Sequence, residues 1–409
     1  MPSTVPIEVV VTPCLDKNEH NSIRVYHLPS KAVVQGIEPK FLPLSHPSSS
    51  LSLDNYSTLT TYSSAHSSSS FNSEHDCSSI NLTQIPSRFV FTEIKKHTAS
   101  PTKKRRFAIF SQLRKVLARQ KKKVFPLIDA LEKRQGPSLK DCYGVFVDVI
   151  GSGNGGSVLL ARKDTEEQKY AVKNFRQRFP GESEAQYYEW LSNEIFIAAS
   201  VQHPHIIDIH DVVLEEGEIH QIMEYCPTDV FRIVNSGEMT MDKANKYFAQ
   251  LILGLSYLHG RGFGHRDLKL ENICVDTNDD IKIIDFGCAI VFRTFGREPK
   301  LVEDVCGSDP YIAPEIFDGE AYDVRKSDIW SAAIIYITMI LHKFPWDIAR
   351  SNDKSYKLYL EHRKTGRFFT KIPHVAATIL KRMLEPNPSL RASMDEVLAD
   401  DWIQSLIST

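Results

Sequence analysis

The chain has 409 residues, of which 42% are apolar, and its 49 basic side chains are nearly balanced by 51 acidic ones. That balance argues against a general nucleic-acid binder, and no stretch approaches the roughly 20 uninterrupted apolar residues that span a bilayer. The seven cysteines are odd in number and scattered without C-x-x-C spacing, which argues against disulfides and zinc.

The first residues, Met1 to Val11, lack the basic start and continuous apolar core of a secretion signal. A reducing, cytoplasmic location is expected, with room for a nuclear fraction. Residues 1–142 read as a regulatory arm. From Pro47 to Ser79 serine dominates, and such a segment buries too little apolar area to offset its ordering entropy, so disorder is expected. The stretch Lys103 to Lys123 then carries ten basic residues and no acid, with Ile109, Leu113, Val116 and Leu117 at helical spacing. It reads as a solvated linker, or as a nuclear-import patch, a contact for anionic lipid heads at a membrane surface, or an autoinhibitory or calmodulin-like target helix.

From Tyr143 the pattern changes. Strands are predicted at Val145 to Ile150, Ser157 to Arg162, Lys169 to Lys173, Ile206 to Leu214 and Glu218 to Glu224, with one helix around Glu184 to Ser200. After Phe231 helical patterns take over, at Met241 to His259, Lys326 to Leu341 and Val375 to Leu384. The apolar run Ala332 to Leu341 is broken by Thr338 and reads as a buried core helix. A small β-rich lobe (143–224), a connecting hinge (224–229) and a larger helical lobe (230–405) are expected, an α+β bilobal fold.

The segment Ile150-Gly-Ser-Gly-Asn-Gly-Gly-Ser-Val158 holds G-x-G-x-x-G-x-V between two strand patterns. Glycines at Gly151, Gly153 and Gly156 let backbone amides approach phosphates, and a strand follows, where a dinucleotide site would open a helix. Next, Tyr170-Ala-Val-Lys173 ends an apolar strand with a lysine suited to the α and β phosphates of a nucleotide. Glu194, in a helical pattern, is the candidate acid to hold it. The segments His265-Arg-Asp-Leu-Lys-Leu-Glu-Asn272 and Ile283-Ile-Asp-Phe-Gly287 complete the set. Phosphoryl transfer asks for one carboxylate near the attacking hydroxyl and two more oxygen ligands that hold magnesium, and Asp267, Asn272 and Asp285 can supply them.

These motifs, in this order over Tyr143 to Trp402, resemble the eukaryotic protein kinase family. The resemblance implies ATP and Mg2+ as cofactors and proteins as substrates, in a monomeric enzyme. It implies that Ile150, Gly151, Ser152, Gly153, Gly155 and Gly156 cover the phosphates, and that Val158 and Ala171 pack on the adenine. Met223 would gate the back of that pocket, the backbone at Glu224 and Cys226 would read adenine, and Asp229 would reach the ribose. Lys173 would pair with Glu194, Asp267 would orient the acceptor hydroxyl, Lys269 would neutralise the γ-phosphate, and Asn272 and Asp285 would bind the metal. Asp-Leu-Lys269 is the serine/threonine form of this loop.

The same resemblance makes Ser308 a structural hydroxyl beside Asp267 and Lys269, pairs Glu315 with Arg391, and has Asp328 cap the catalytic loop. Arg266 implies an anion in the activation segment, which the resemblance places between Asp285 and Glu315; Thr294 is the one hydroxyl between Gly287 and Ser308, whereas Glu303 and Asp304 are built-in anions. Cys306-Gly-Ser-Asp-Pro-Tyr-Ile-Ala-Pro-Glu315, Lys326-Ser-Asp-Ile-Trp330, Phe344-Pro-Trp346 and Ser355-Tyr-Lys-Leu358 resemble the fungal halotolerance and nitrogen-permease-reactivator kinases, which implies regulation of plasma-membrane transporters, ion balance or nutrient uptake. Two other readings are carried alongside: a kinase-fold scaffold without catalysis, and an arm that docks transporters or membranes as the main function.

Overall fold

The computed structural model describes residues 131–132, 137–163, 168–294 and 297–408. The serine-rich stretch and the basic segment Lys103 to Lys123 lie outside the described residues. Helix α1 (Leu139–Tyr143) begins inside the region assigned to the arm, its first turn capped by the Ser138 hydroxyl, which accepts from Asp141 N at 3.1 Å. Leu139 and Tyr143 pack with Ala161, Tyr170, Val172 and Ile222, and Tyr143 Oη donates to Asp211 Oδ2 at 2.7 Å. The ordered lobe therefore starts earlier than the boundary expected at 143, because a helix of five residues is too short to display a period.

Strands β1 (Val145–Gly153), β2 (Gly156–Arg162), β3 (Lys169–Phe175), β4 (Ile209–Glu215) and β5 (Glu218–Glu224) form one antiparallel sheet in the order β1-β2-β3-β5-β4. Helix α2 (Glu184–Ser200) lies between β3 and β4 in the chain and spans the expected residues. Its start is set by a reciprocal cap, in which Ser183 Oγ accepts from Gln186 N and Gln186 Oε1 accepts from Ser183 N. The strand expected from Ile206 starts at Ile209 instead. Ile206 bridges to Ile283 in parallel, and Ile207 N donates to Ile283 O at 3.0 Å, so these two residues are drawn to the second lobe.

That lobe begins with β6 (Thr228–Asp229) and α3 (Val230–Asn235), followed by the long α4 (Met241–Gly260) and β7 (Phe263–Gly264). Strands β8 (Ile273–Val275), β9 (Ile281–Ile283) and β10 (Ile290–Val291) make short pairings: β6-β8-β9 in one ribbon and β10-β7 in another. Helix α5 (Val324–Leu341) is buried nearly all round, as its apolar run suggests; α6 (Lys354–His362), α7 (His374–Met383), α8 (Met394–Leu398) and α9 (Asp401–Ile407) follow, and α6, α7 and α9 contact it. Trp330, Ile334 and Tyr336 of α5 are inaccessible to solvent. A large apolar helix of this kind belongs in a core and fixes whatever loops rest on its ends.

One buried ion pair ties the loops of this lobe together. Arg391, 1% exposed, donates to Glu315 Oε1 at 2.6 Å and Oε2 at 2.7 Å, and to the carbonyls of Lys326 (2.8 Å) and Glu385 (2.9 Å). Arg391→Ala leaves the Glu315 carboxylate buried and unpaired, a loss of roughly 3–5 kcal/mol. A clear drop in the urea or thermal midpoint is expected; an unchanged midpoint would contradict this.

Candidate active site

Lys173 sits near the end of β3 and Glu194 in the middle of α2, both buried, at 7% and 1% exposure. The Lys173 ammonium pairs with Glu194 Oε1 and donates to Asp285 Oδ1 at 3.0 Å. Burial alone would push the ammonium down in pKa, but the two carboxylates outweigh it and hold Lys173 above its ordinary value. It is therefore a fixed positive charge across the neutral range. Asp285 experiences the same pair from the other side: burial pushes its carboxyl up, Lys173 pulls it down, and the net shift is downward.

The catalytic-loop residues are positioned by a single carboxylate on α5. Asp328, 1% exposed, accepts from His259 Nε2 and His265 N at 2.9 Å on Oδ2, and from Arg266 N at 2.8 Å on Oδ1. Arg266 takes φ +69°, a left-handed conformation disfavoured for its side chain, and that strain is held by the bond its amide makes to Asp328. The turn aims Asp267 into the site. Its carboxylate accepts from Lys269 Nζ at 2.7 Å, Ser308 Oγ at 2.9 Å and Asn272 Nδ2 at 3.2 Å. Lys269 also donates to Ser308 Oγ at 3.0 Å, so Ser308 is the structural hydroxyl expected of it.

Asn272 and Asp285 are brought together by the β8–β9 ladder. Ile273 pairs with Ile283, and Ile284 N donates to Asn272 O at 3.0 Å, which sets Asp285 two residues past the end of β9 at φ +64°. The Asn272 amide nitrogen is spent on Asp267, to O at 2.8 Å, so the side-chain atom it offers to anything else is an acceptor oxygen. Above Lys173 lies the β1–β2 turn. Gly156 adopts φ +129°, and a Cβ there would meet Asn174 O at 2.0 Å, so only glycine fits. A Cβ on Gly155 would lie 3.2 Å from Lys173 Nζ and 4.0 Å from Asp285 Oδ1, whereas one on Gly153 would meet nothing within 4 Å. The turn thus roofs Lys173 and Asp285, and the bare backbone at Gly153 is explained by neither φ nor packing against the chain. Hard oxygen donors below, an ammonium between and a glycine roof above fit a nucleotide polyphosphate with magnesium. Among the described residues no group of three or more His, Cys, Asp or Glu side chains could hold a metal by itself.

The remaining expected residues line the sheet side and the hinge. Ala171 pairs with Met223 across β3 and β5, both buried, and Val158 pairs with Lys173 across β2 and β3. Glu224 uses its side chain structurally, accepting from Asp208 N at 2.8 Å and lying 3.3 Å from Lys282 Nζ. Asp229 caps α3: Oδ1 accepts from Arg232 N at 2.8 Å, and Oδ2 sits 3.2 Å from Arg232 Nε. It would meet a ribose only by sharing an oxygen with that cap. Ile150 and Ser152 lie on β1, on the strand side of the glycine turn.

Sequence reading missed two residues that join α2 to the Asp285 loop. Trp190 Nε1 donates to Gly287 O at 3.0 Å, and Asn193 Nδ2 donates to Ala289 O at 2.7 Å. The signal was available in part, since Trp190 and Glu194 share a helix face at i, i+4. Their carbonyl partners carry no signal at all. In the activation segment Asp304, not Glu303, meets Arg266: Nη2 donates to Asp304 Oδ2 at 2.6 Å and to its carbonyl at 3.1 Å.

Residues 145–403, more than half of the chain, match the family described as protein kinase domain, and the chain belongs to that family. Serine/threonine-protein kinase oca2 of Schizosaccharomyces pombe is 45% identical over 219 residues, covering 53% of this chain and 34% of that protein. Nitrogen permease reactivator protein of Saccharomyces cerevisiae is 35% identical over 302 residues, 63% of this chain and 38% of that protein. Serine/threonine-protein kinase HAL4/SAT4 of the same yeast is 33% identical over 286 residues, 66% and 47% respectively. The matched part spans between about a third and a half of these relatives. The last two carry the names of the fungal group that the shorter motifs resemble.

The Asp328 network makes a direct prediction. Asp328→Asn replaces one acceptor oxygen by a donor facing other donors, at a cost of roughly 1–3 kcal/mol. Hydrogen exchange at the His265 and Arg266 amides should speed up and the melting midpoint should fall; unchanged exchange at both amides would refute the assignment.

Proposed function

We propose that the chain is an ATP-dependent serine/threonine protein kinase. The single observation that carries this is the linked set Lys173, Asp267, Asn272 and Asp285, joined through one ion cluster and one short β ribbon under a glycine turn. Bound ATP with Mg2+ supplies the transferable phosphoryl group and the positive charge that offsets its oxygens. Asn272 and Asp285 hold the metal, and Lys173, kept in place by Glu194, holds the α and β phosphates. Gly151 to Gly156 cover the phosphates, with Val158 and Ala171 against the adenine, Met223 behind it and the Glu224 to Cys226 backbone along its edge.

Asp267, fixed by three donors, faces the incoming hydroxyl and accepts its proton; Lys269 bridges Asp267 and Ser308 and neutralises the γ-phosphate. A lysine at 269 favours serine or threonine as acceptor. The physiological role we assign, control of membrane transporters for ions or nutrients, rests on kinship with proteins named for nitrogen permease reactivation and on the resemblance to the halotolerance kinases. Among the described residues no helix is long and apolar enough to cross a membrane, so contact with such substrates would come from the catalytic surface or from the arm.

The test is Mg2+-dependent transfer from ATP to a serine peptide by the full chain. Lys173→Ala and Asp267→Ala should each lower the rate by roughly 10²-fold or more. No transfer by the wild type, with soluble folded protein, would favour a scaffold built on a kinase fold.

The Arg266–Asp304 pair supports a second expectation, that the activation segment carries its own anion. Asp304 is 71% exposed at the side chain, so screening limits what the pair contributes. Asp304→Asn is expected to lower activity by roughly two- to fivefold, with Glu303→Gln near wild type. Stoichiometric phosphate on Thr294, with activity abolished by phosphatase, would contradict it.

A further inference from the structure

The larger lobe carries a cluster of unpaired positive charge that phosphotransfer does not use. Over residues 354–382 there are eight lysines and arginines against one acid, Glu361, in a chain whose 49 basic and 51 acidic side chains nearly cancel. Two of the eight are satisfied within the fold: Arg363 pairs with Glu385 and Arg382 with Glu396. The other six, Lys354, Lys357, Lys364, Arg367, Lys371 and Lys381, are exposed and have no ion-pair partner among the described residues.

The fold gathers these cations on an ordered surface. A 3-10 turn, Arg367–Lys371, touches both α6 and α7. Its two phenylalanines pack inward: Phe369 is buried, and Phe368 lies edge-on to Tyr359, with ring centroids 4.9 Å apart, and stacks on Trp346 at 6.0 Å. Arg367 and Lys371, at the two ends of the turn, stay outside. Lys381 reaches back from α7 to the same place, its Nζ 5.4 Å from the Phe369 ring centroid, and a Cβ on Gly366 would meet that nitrogen at 3.5 Å. It therefore stands beside the loop that carries Lys364 and Arg367. Helix α7 presents one outward stripe, His374, Val375, Thr378, Lys381 and Arg382, all exposed and all on a single face by their spacing. Within this stripe Val375 is 62% exposed.

We propose that this face docks the catalytic domain on an anionic membrane surface, with Lys364, Arg367, Lys371 and Lys381 against lipid headgroups and Val375 entering the boundary between headgroups and acyl chains. Cations without counter-charges attract any polyanion; the apolar side chain set among them selects a bilayer, which offers a negative layer and an apolar one a few ångströms beneath it. A nucleic-acid duplex has no such second layer, and the outward face of a helix lacks the concave walls that grip a peptide. The elements beneath the face are already packed, so docking costs little more than the freedom of the side chains that make contact. The inference does not depend on the phosphotransfer reading. It bears on the assigned physiological role, because it would hold the enzyme at the surface where a transporter presents its soluble loops.

The experiment is co-sedimentation of the full chain with vesicles of phosphatidylcholine alone, or with about a third of it replaced by phosphatidylserine. Binding to the anionic vesicles only, weakening as salt is raised, is expected. Lys103 to Lys123 carries its own positive charge, so the same measurement is made on a chain with the basic residues of that segment replaced by glutamine, in which binding should persist. In that background Lys364→Gln, Arg367→Gln and Lys381→Gln together should weaken binding by roughly 10²-fold, and Val375→Ser alone by roughly threefold. All four side chains are exposed, so melting midpoints within a few degrees of wild type verify that the variants are folded. Loss of binding when the Lys103 to Lys123 segment alone is neutralised, or a triple variant that binds like its parent, overturns the proposal. So does transfer RNA or polyglutamate bound as tightly as the anionic vesicles with Val375→Ser unchanged, which would mark a general polyanion site. None of these readouts uses kinase activity, so a failure here is distinct from a failure of the phosphotransfer reading.

Discussion

Three donors on one buried carboxylate hold the catalytic loop, and the rest of the site is built on that anchor. Asp328 lies on α5, the most deeply buried helix of the larger lobe, and accepts from His259, His265 and Arg266. A loop carrying Asp267, Lys269 and Asn272 would otherwise be free to relax the left-handed turn at Arg266, a conformation that costs on the order of 1–3 kcal/mol. The strain persists because the acceptor is buried and has no water to turn to. In this sense the core of the lobe and the chemistry of the site are one structure.

The smaller lobe joins that structure through charge. Lys173 lies between Glu194 on α2 and Asp285 on the far side of the cleft, so one ammonium holds together a strand, a helix and a loop from the other lobe. Two hydrogen bonds, from Trp190 and Asn193, run parallel to it and fix the backbone just after Asp285. Breaking the ion pair alone would therefore leave α2 still tethered. The arrangement explains why an acid on a helix far from the phosphates matters to them.

Legibility in the sequence followed from the type of interaction. Asp267, Asn272, Asp285 and Lys173 stood out because their chemistry needs fixed residue types at fixed spacing in short strings. Helix α2 was readable to its ends because the Ser183–Gln186 cap is written locally. By contrast, α1 is a single short turn whose order comes from Asp211, Glu215 and the sheet face, all distant in the chain. Ile206 has strand character and pairs elsewhere, because the partner that wins is Ile283. Glu303 and Asp304 are adjacent acids, and only the path of the activation segment decides which of them meets Arg266.

The proposed chemistry requires that two oxygen-bearing side chains, on neighbouring loops, share a metal-bound nucleotide with Lys173. A crystal structure of the full chain with a non-hydrolysable ATP analogue and Mg2+ tests this most directly. Magnesium coordinated by Asn272 Oδ1 and Asp285 at about 2.0–2.1 Å, with Lys173 Nζ on the phosphates beneath Gly151 to Gly156, is the predicted result. Nucleotide bound elsewhere, or metal that engages neither Asn272 nor Asp285, would contradict it.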